Sequence, residues 1–104
     1  MAKKMMELED IMTESDRERI QIDGNVITVD THGMKRKTAM RLLQNIIVYM
    51  RVSTAWILRV IHGYHGGTVI KDMIATDLIN KRIARKFSPE CNQGLTCLEI
   101  AAAY

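Results

Sequence analysis

Two groups of residues in this chain combine histidine with glycine, and each follows an apolar run. The first group is Asp30-Thr31-His32-Gly33, which follows residues 26–29. The second is His62-Gly63-Tyr64-His65-Gly66-Gly67, which follows residues 56–61. Histidine exchanges a proton near neutral pH, and glycine lets backbone N–H groups approach a phosphate closely. The two groups together predict acid–base chemistry beside a bound phosphate.

Two parallel strands would bring these groups to one place. Residues 26–29 are all β-branched, as a strand interior prefers, and residues 56–61 form a second apolar run. Apolar side chains between them recur at three- and four-residue spacing and predict a helix over residues 35–51. A strand–helix–strand unit places both strand ends at one sheet edge, where ligands bind. We therefore expect Asp30 and His32 on one face, with His62 nearby.

The remaining pattern predicts the fold class. Thr68 can cap a second helix that stops at Asn80. Residues 83–88 and Leu95–Ile100 predict two further strands, which should be antiparallel because the link between them is short. The predicted fold is an α/β two-layer sandwich in βαβαββ order, with a mixed four-stranded sheet and two helices on one face.

Residues 1–24 are predicted to form an N-terminal extension, and residues 25–104 the main domain. Residues 1–19 carry a partial apolar stripe at helical spacing. Ile20-Gln21-Ile22 alternates like a strand, and Asp23-Gly24-Asn25 is a turn signal, so a short hairpin should lead into the first core strand.

Charge divides at the same boundary and indicates a polyanionic partner. Residues 1–24 have a net charge of −3 and residues 25–104 a net charge of +6. Lys35, Arg36 and Lys37 lie where the helix dipole is already positive, which is unfavourable unless an anion binds there. The run is therefore either a phosphate site or a solvated charge cluster. Nucleic acid is the predicted partner.

Several classes of protein are disfavoured. No apolar run approaches the roughly 20 residues that span a membrane, and no apolar signal region follows the N-terminus, so we predict a cytoplasmic protein without a membrane partner. No cofactor is predicted, because the glycine turn has neither a Walker nor a dinucleotide pattern. The spacing of Cys91 and Cys97 is not that of a zinc site. A metal held by His62 and His65 with His32 and Asp30 remains an alternative.

Both motifs resemble those of the Smr (small MutS-related) domain. That family carries Leu-Asp-x-His-Gly, and here the motif reads Val29-Asp30-Thr31-His32-Gly33. Its His-Gly-x-Gly-x-Gly motif is matched at His62, Gly63 and Gly67, with His65 in place of the middle glycine. The segment Gly94–Ile100 also resembles the family's last turn and strand. The resemblance covers about residues 26–100.

This resemblance implies nucleic-acid binding, often with endonuclease activity on DNA or RNA. Cleavage of RNA by relatives is linked to the first motif, which implies a catalytic role for Asp30 and His32. We expect His32 to act as the base, Asp30 to orient it and His62 to act as the acid. Nucleic acid should be bound by two groups of residues: Lys35, Arg36 and Lys37, and Gly63, Tyr64, His65, Gly66 and Gly67. The alternative is a nucleic-acid- or ribosome-binding module without chemistry, and the oligomeric state stays open.

Overall fold

The computed structural model describes residues 14–51, 53–63, 69–89 and 94–101. The elements in chain order are α1 (Glu14–Arg17), β1 (Ile20–Asp23), β2 (Val26–Asp30), α2 (Arg36–Tyr49), β3 (Ile57–Ile61), α3 (Val69–Thr76), β4 (Ile83–Phe87) and β5 (Leu95–Ile100). Within these residues no helix is long and apolar enough to cross a membrane.

A five-stranded sheet in the order β1-β2-β3-β5-β4 forms the centre of the fold. The prediction of four strands is therefore wrong. The fifth strand is β1, which pairs antiparallel with β2 from Asp23↔Val26 to Ile20↔Val29. A two-residue turn, Gly24-Asn25, joins the two strands, and Gly24 takes the positive φ of 61° that such a turn needs. The predicted hairpin is present, but its first strand is part of the sheet.

Pairing between the other strands follows the prediction. β2 and β3 are parallel, in the register Asp30↔Ile61. β5 is antiparallel to both β3 and β4. The β2–α2–β3 unit therefore delivers two strand ends to one edge of the sheet, as the strand–helix–strand pattern requires.

One face of the sheet packs on α2 and α3. The hydrophobic core joins alternate residues of the central strands, such as Ile27, Val29, Leu58 and Val60, to the apolar sides of both helices. Both helices thus cover the same face, as predicted. We call the opposite side the outer face. Residues that alternate with the core residues, such as Asp30, point to it.

Element ends differ slightly from the prediction. α3 ends at Thr76 and not at Asn80, because the chain leaves the helix to bury Leu78 in the core. Asn80 instead donates a side-chain hydrogen bond to Gln44 of α2 at 2.9 Å. Thr68, the predicted cap, lies outside the described residues. Of the predicted N-terminal helix, the described part is α1.

Candidate functional site

Asp30 and His32 form a hydrogen-bonded pair at the end of β2. The imidazole Nδ1 of His32 lies 2.6 Å from Oδ1 of Asp30, and the backbone N–H of His32 donates to the same oxygen at 3.1 Å. Both side chains reach solvent, with 69% of His32 and 40% of Asp30 exposed. The predicted placement of the two side chains, close together on one face, is confirmed.

This contact fixes the chemistry available to His32. A carboxylate can only accept a hydrogen bond, so Nδ1 of His32 carries the proton. In the neutral ring the lone pair then lies on Nε2, which can accept a proton from a bound ligand. Among the described residues, Nε2 of His32 has no hydrogen-bond partner. The pair is arranged as a general base with a carboxylate that orients it.

The environment favours an ionised Asp30. Partial burial by itself raises the pKa of this carboxyl group. The side-chain and backbone hydrogen bonds from His32, the positive charge of His32 when it is protonated, and the positive charge of Arg19 together outweigh burial. The resulting pKa of Asp30 lies below its usual value of 3.8. Asp30 is therefore a charged acceptor at neutral pH, as its orienting role requires.

Thr31 holds the turn that carries the pair. Its side chain is fully buried on the core side, opposite to Asp30. The backbone N–H and the hydroxyl of Thr31 both donate to the carbonyl oxygen of Ile61, at 2.7 and 3.0 Å. Gly33, with a φ of 80°, then lets the chain turn towards α2. The ends of β2 and β3 are thereby tied together directly beneath the pair.

Arg19 also supports the turn, and sequence reasoning missed it. One guanidinium nitrogen, Nη1, donates to the carbonyl oxygens of Asp30 and His32 at 3.0 and 3.3 Å. The carbonyl oxygen of Arg19 accepts from the Asp30 N–H at 2.9 Å. The sequence could have predicted this position. In a hairpin with the two-residue turn Gly24-Asn25, Asp23 pairs with Val26, and continuing the pairing outward places Arg19 opposite Asp30.

The structure does not bring the His62 side chain to the pair. Asp30 is opposite Ile61 in the parallel register, so the next residue, His62, points to the core face, away from Asp30. Only 7% of His62 is exposed. Its Nδ1 donates to the carbonyl oxygen of Gly63 at 2.9 Å, and its Nε2 is 2.8 Å from the hydroxyl of Thr96. Both ring nitrogens are thus used within the protein, an arrangement that stabilises the fold.

The glycine turn begins close to the pair. Gly63 has a φ of 71°, and a Cβ at this position would lie 3.8 Å from the Cβ of His32. A side chain there would have room but would require a strained backbone. The other predicted binding residues of this turn, Tyr64, His65, Gly66 and Gly67, lie outside the described residues.

The three predicted phosphate ligands differ in their surroundings. Lys35 and Lys37 are exposed at the start of α2. Arg36 instead forms an ion pair with Asp77, just after α3, and this contact joins the two helices. The first turn of α2 contains no acidic residue, and Lys35, its N-cap, makes no side-chain capping hydrogen bond. Of these three cations, the two lysines therefore remain available to a ligand.

A groove on the outer face adjoins the pair. It has a volume of about 540 Å³. Arg19, Asp30 and His32 line it from the sheet edge. The remainder includes Ser15 of α1, Glu18 just after α1, and Gln21 of β1. Thr28 and Ile61 belong to the sheet surface. We call this feature the outer groove.

The proposed metal alternative receives no support from the described part of the chain. No group of three or more His, Cys, Asp or Glu side chains there is arranged so that it could hold a metal ion. His62 lies on the opposite face from Asp30 and already has two hydrogen-bond partners. His65 lies outside the described residues.

Comparison with known proteins identifies the fold. No protein-family model matches the sequence, and no curated protein matches it. The structure is similar to the crystal structure of the Smr domain of Thermus thermophilus MutS2. The TM-score is 0.62 and the identity 22%, and the match covers 70% of this chain and 95% of that chain. The protein therefore has an Smr-like fold, which confirms the resemblance at the level of the fold.

Proposed function

We propose that this Smr-like protein binds nucleic acid and cleaves RNA at the Asp30–His32 pair. The observation that carries the proposal is the 2.6 Å contact between Nδ1 of His32 and Oδ1 of Asp30, which leaves Nε2 of His32 without a hydrogen-bond partner among the described residues. Such an oriented and exposed imidazole suits general base catalysis. The Smr resemblance, which now includes the fold, supports a nucleic acid as the substrate.

The reaction follows from the chemistry of RNA. Nε2 of His32 removes the proton from a 2′-hydroxyl, and the 2′-oxygen attacks the adjacent phosphorus. The bond from phosphorus to the 5′-oxygen breaks, which yields a 2′,3′-cyclic phosphate and, after protonation from solvent, a 5′-hydroxyl. The ionised Asp30 stabilises the imidazolium formed on His32. DNA lacks the 2′-hydroxyl, so RNA is the favoured substrate.

Positive charge around the pair supports a polyanionic ligand. The sequence contains no acidic residue between Asp30 and Asp72, whereas this segment carries seven lysines and arginines. Lys35 and Lys37 are exposed members close to His32 in sequence, and unlike Arg36 they form no ion pair with a described residue. They would contact phosphates on either side of the reacting one and strengthen binding without regard to sequence.

A second candidate function is favoured by the position of His62. Two-histidine catalysis needs an acid that faces the base, and His62 faces the core with both ring nitrogens bonded. A protein with an exposed histidine at this edge can also bind nucleic acid, or a ribosome, without cutting it. In that case Asp30 and His32 would contact the ligand as hydrogen-bonding groups.

A cleavage panel separates the two functions. Labelled single-stranded RNA, structured RNA and supercoiled DNA are incubated with the parent protein and with His32→Ala, each with and without a chelator. The proposal predicts that the parent cleaves RNA whether or not the chelator is present, and that His32→Ala binds but does not cleave. Binding by both proteins without cleavage by either would favour the binding module.

A further inference from the structure

We propose that the outer groove is a nucleobase subsite, which holds the unpaired base of a nucleotide next to the phosphate that is cleaved. The link to cleavage rests on the proposed function. Binding of a base in the groove rests on the residues of the groove alone. The two claims can therefore fail separately.

Position is the first reason for this assignment. Arg19, Asp30 and His32 line the groove and also build the candidate site. A ligand in the groove would therefore contact the pair. Other lining residues, Ser15 and Gln21, come from α1 and β1, which precede the βαβαββ part of the chain. The N-terminal segment thus contributes directly to the site.

The size of the groove fits one nucleoside. Its volume of about 540 Å³ falls within the range of about 300–1,000 Å³ that is typical of small-molecule sites. A base can enter only when it is unstacked and unpaired, and single-stranded loops offer such bases. The groove therefore favours a single-stranded segment of RNA over a duplex.

The lining suits a base better than a phosphate. Thr28 and Ile61 lie on the sheet surface, and Ile61 is 37% exposed, which gives a partly apolar platform for a flat ring. Glu18 and Asp30 bring two carboxylates to the groove, whereas Arg19 brings one guanidinium. That guanidinium already donates to the carbonyl oxygens of Asp30 and His32. Carboxylates repel a phosphate but accept hydrogen bonds from base N–H groups. A nucleotide should therefore bind with its base inside the groove and its phosphate outside.

Guanine is the base that this lining should prefer. The exposed carboxylate of Glu18 can accept two parallel hydrogen bonds, and guanine presents two neighbouring N–H donors on its Watson–Crick edge. Uracil presents only one there. The amide of Gln21 can donate to a carbonyl oxygen of the base. A good bidentate contact changes base preference by roughly tenfold or more.

Binding is tested first, without any reaction. Guanosine 5′-monophosphate, uridine 5′-monophosphate and ribose 5-phosphate are titrated into the full chain, and the backbone amide signals are followed by NMR. We expect guanosine 5′-monophosphate to shift Gln21, Thr28 and Ile61 and to bind most tightly. Equal shifts with ribose 5-phosphate, or shifts confined to residues 35–37, would overturn the subsite.

Glu18→Gln tests the preference, and Asp23→Asn is its matched control. Both substitutions convert an exposed carboxylate to an amide in the same segment, but Asp23 does not line the groove. Glu18→Gln should lower the guanine-to-uracil affinity ratio about tenfold, and Asp23→Asn should leave the ratio unchanged. Equal ratios in both variants and the parent would overturn the assignment.

Mapping of RNA cleavage separates the subsite from the proposed function. The parent should cut next to unpaired guanines, and Glu18→Gln should lose that preference while it still cuts. Base-selective binding in the groove without any cleavage would leave the subsite intact and refute the nuclease. Cleavage that ignores the neighbouring base in both proteins would refute the subsite and leave the nuclease intact.

Discussion

His32 and His62 each follow an apolar strand, yet the two side chains occupy opposite surroundings. The ring of His32 is mostly exposed and bonds to a carboxylate. The ring of His62 is buried and bonds to Gly63 and Thr96. Asp30 lies opposite Ile61, and His62 is the next residue after Ile61. Because side chains alternate between the faces of a sheet, His62 takes the face opposite to that of Asp30. We therefore propose His32, and not His62, as the residue that carries the chemistry, and we expect His62 to stabilise the fold.

Replacement of His62 should weaken the fold and spare the chemistry. His62→Ala leaves the hydroxyl of Thr96 without its partner, so we expect a loss of about 1–3 kcal/mol in the free energy of unfolding. Urea denaturation measures this loss. RNA cleavage per folded molecule should stay close to that of the parent. If His62→Ala folds but no longer cleaves RNA, His62 would be required for cleavage, and this prediction would be wrong.

Thr96→Val is the matched control for this prediction. It removes the same hydrogen bond from the other side and nearly preserves the volume of the side chain. The double variant should lose less stability than the sum of the two single losses, because both substitutions break one interaction. Additive losses would show that the two groups stabilise the protein independently.

Asp30 should link stability to acid pH. Its pKa is lower in the folded protein than the usual 3.8. Its ionised form is therefore stabilised on folding, a contribution that is complete above the unfolded pKa and disappears as the pH falls through the folded pKa. The contribution should not exceed about 1 kcal/mol, because the pair is exposed to solvent.

The measurement compares the parent with Asp30→Asn by urea denaturation at about pH 6 and about pH 2. The parent should be the more stable protein at the higher pH, and the difference should shrink at the lower pH. The comparison is repeated in proteins that also carry His32→Ala. There the stability difference caused by Asp30→Asn should depend less on pH, because the Asp30 carboxylate has lost the imidazole that bonds to it. A constant difference in all conditions would contradict the role given to His32.

Two elements determine where the site lies. The β1–β2 hairpin places Arg19 opposite Asp30, and the guanidinium of Arg19 donates to two carbonyl oxygens of the turn that follows β2. α2 begins a few residues later and carries Lys35, Arg36 and Lys37 at its start. Of these three cations, Arg36 is engaged with Asp77. The hairpin therefore holds the turn in place, and we expect the start of α2 to attract a polyanion.

Lys35 and Lys37 should account for much of the salt dependence of binding. The double variant Lys35→Ala with Lys37→Ala should bind RNA more weakly, whatever its sequence. Each lost phosphate contact lowers the slope of log affinity against log salt by about 0.7 for single strands. Fluorescence anisotropy at several salt concentrations measures this slope. Lys81→Ala with Arg85→Ala removes the same charge elsewhere and serves as the control.

Arg36→Ala should behave differently from the lysine variants. It removes an ion pair between α2 and the residue after α3, so its effect should be on stability, within about 1 kcal/mol because the pair is exposed. Its effect on the salt slope should be smaller than that of the two lysines. Equal slopes for the parent and the lysine double variant would place the phosphate contacts outside the start of α2.

At the scale of the whole molecule, the sequence predicts the parts of the fold that have a local signature. The strand–helix–strand pattern predicts that β2 and β3 are parallel, and the alternation within β2 predicts that Asp30 and His32 share a face. Membership of β1 in the sheet was underestimated, because a four-residue edge strand with exposed side chains gives a weak signal. The face of His62 could have been predicted from the alternation within β3, where Leu58 and Val60 are buried and Arg59 is exposed. The prediction considered only that both strand ends reach one edge of the sheet, and not the face that each side chain takes.

The most direct test of the account is the chemistry of the RNA ends made by the parent and by His32→Ala. We predict 2′,3′-cyclic phosphate and 5′-hydroxyl ends for the parent, resolved by mass spectrometry, and a rate at least about 100-fold lower for His32→Ala. Binding of RNA and the urea midpoint should stay close to those of the parent. Cleavage at the same rate by His32→Ala, or 3′-hydroxyl and 5′-phosphate ends from the parent, would contradict the assignment.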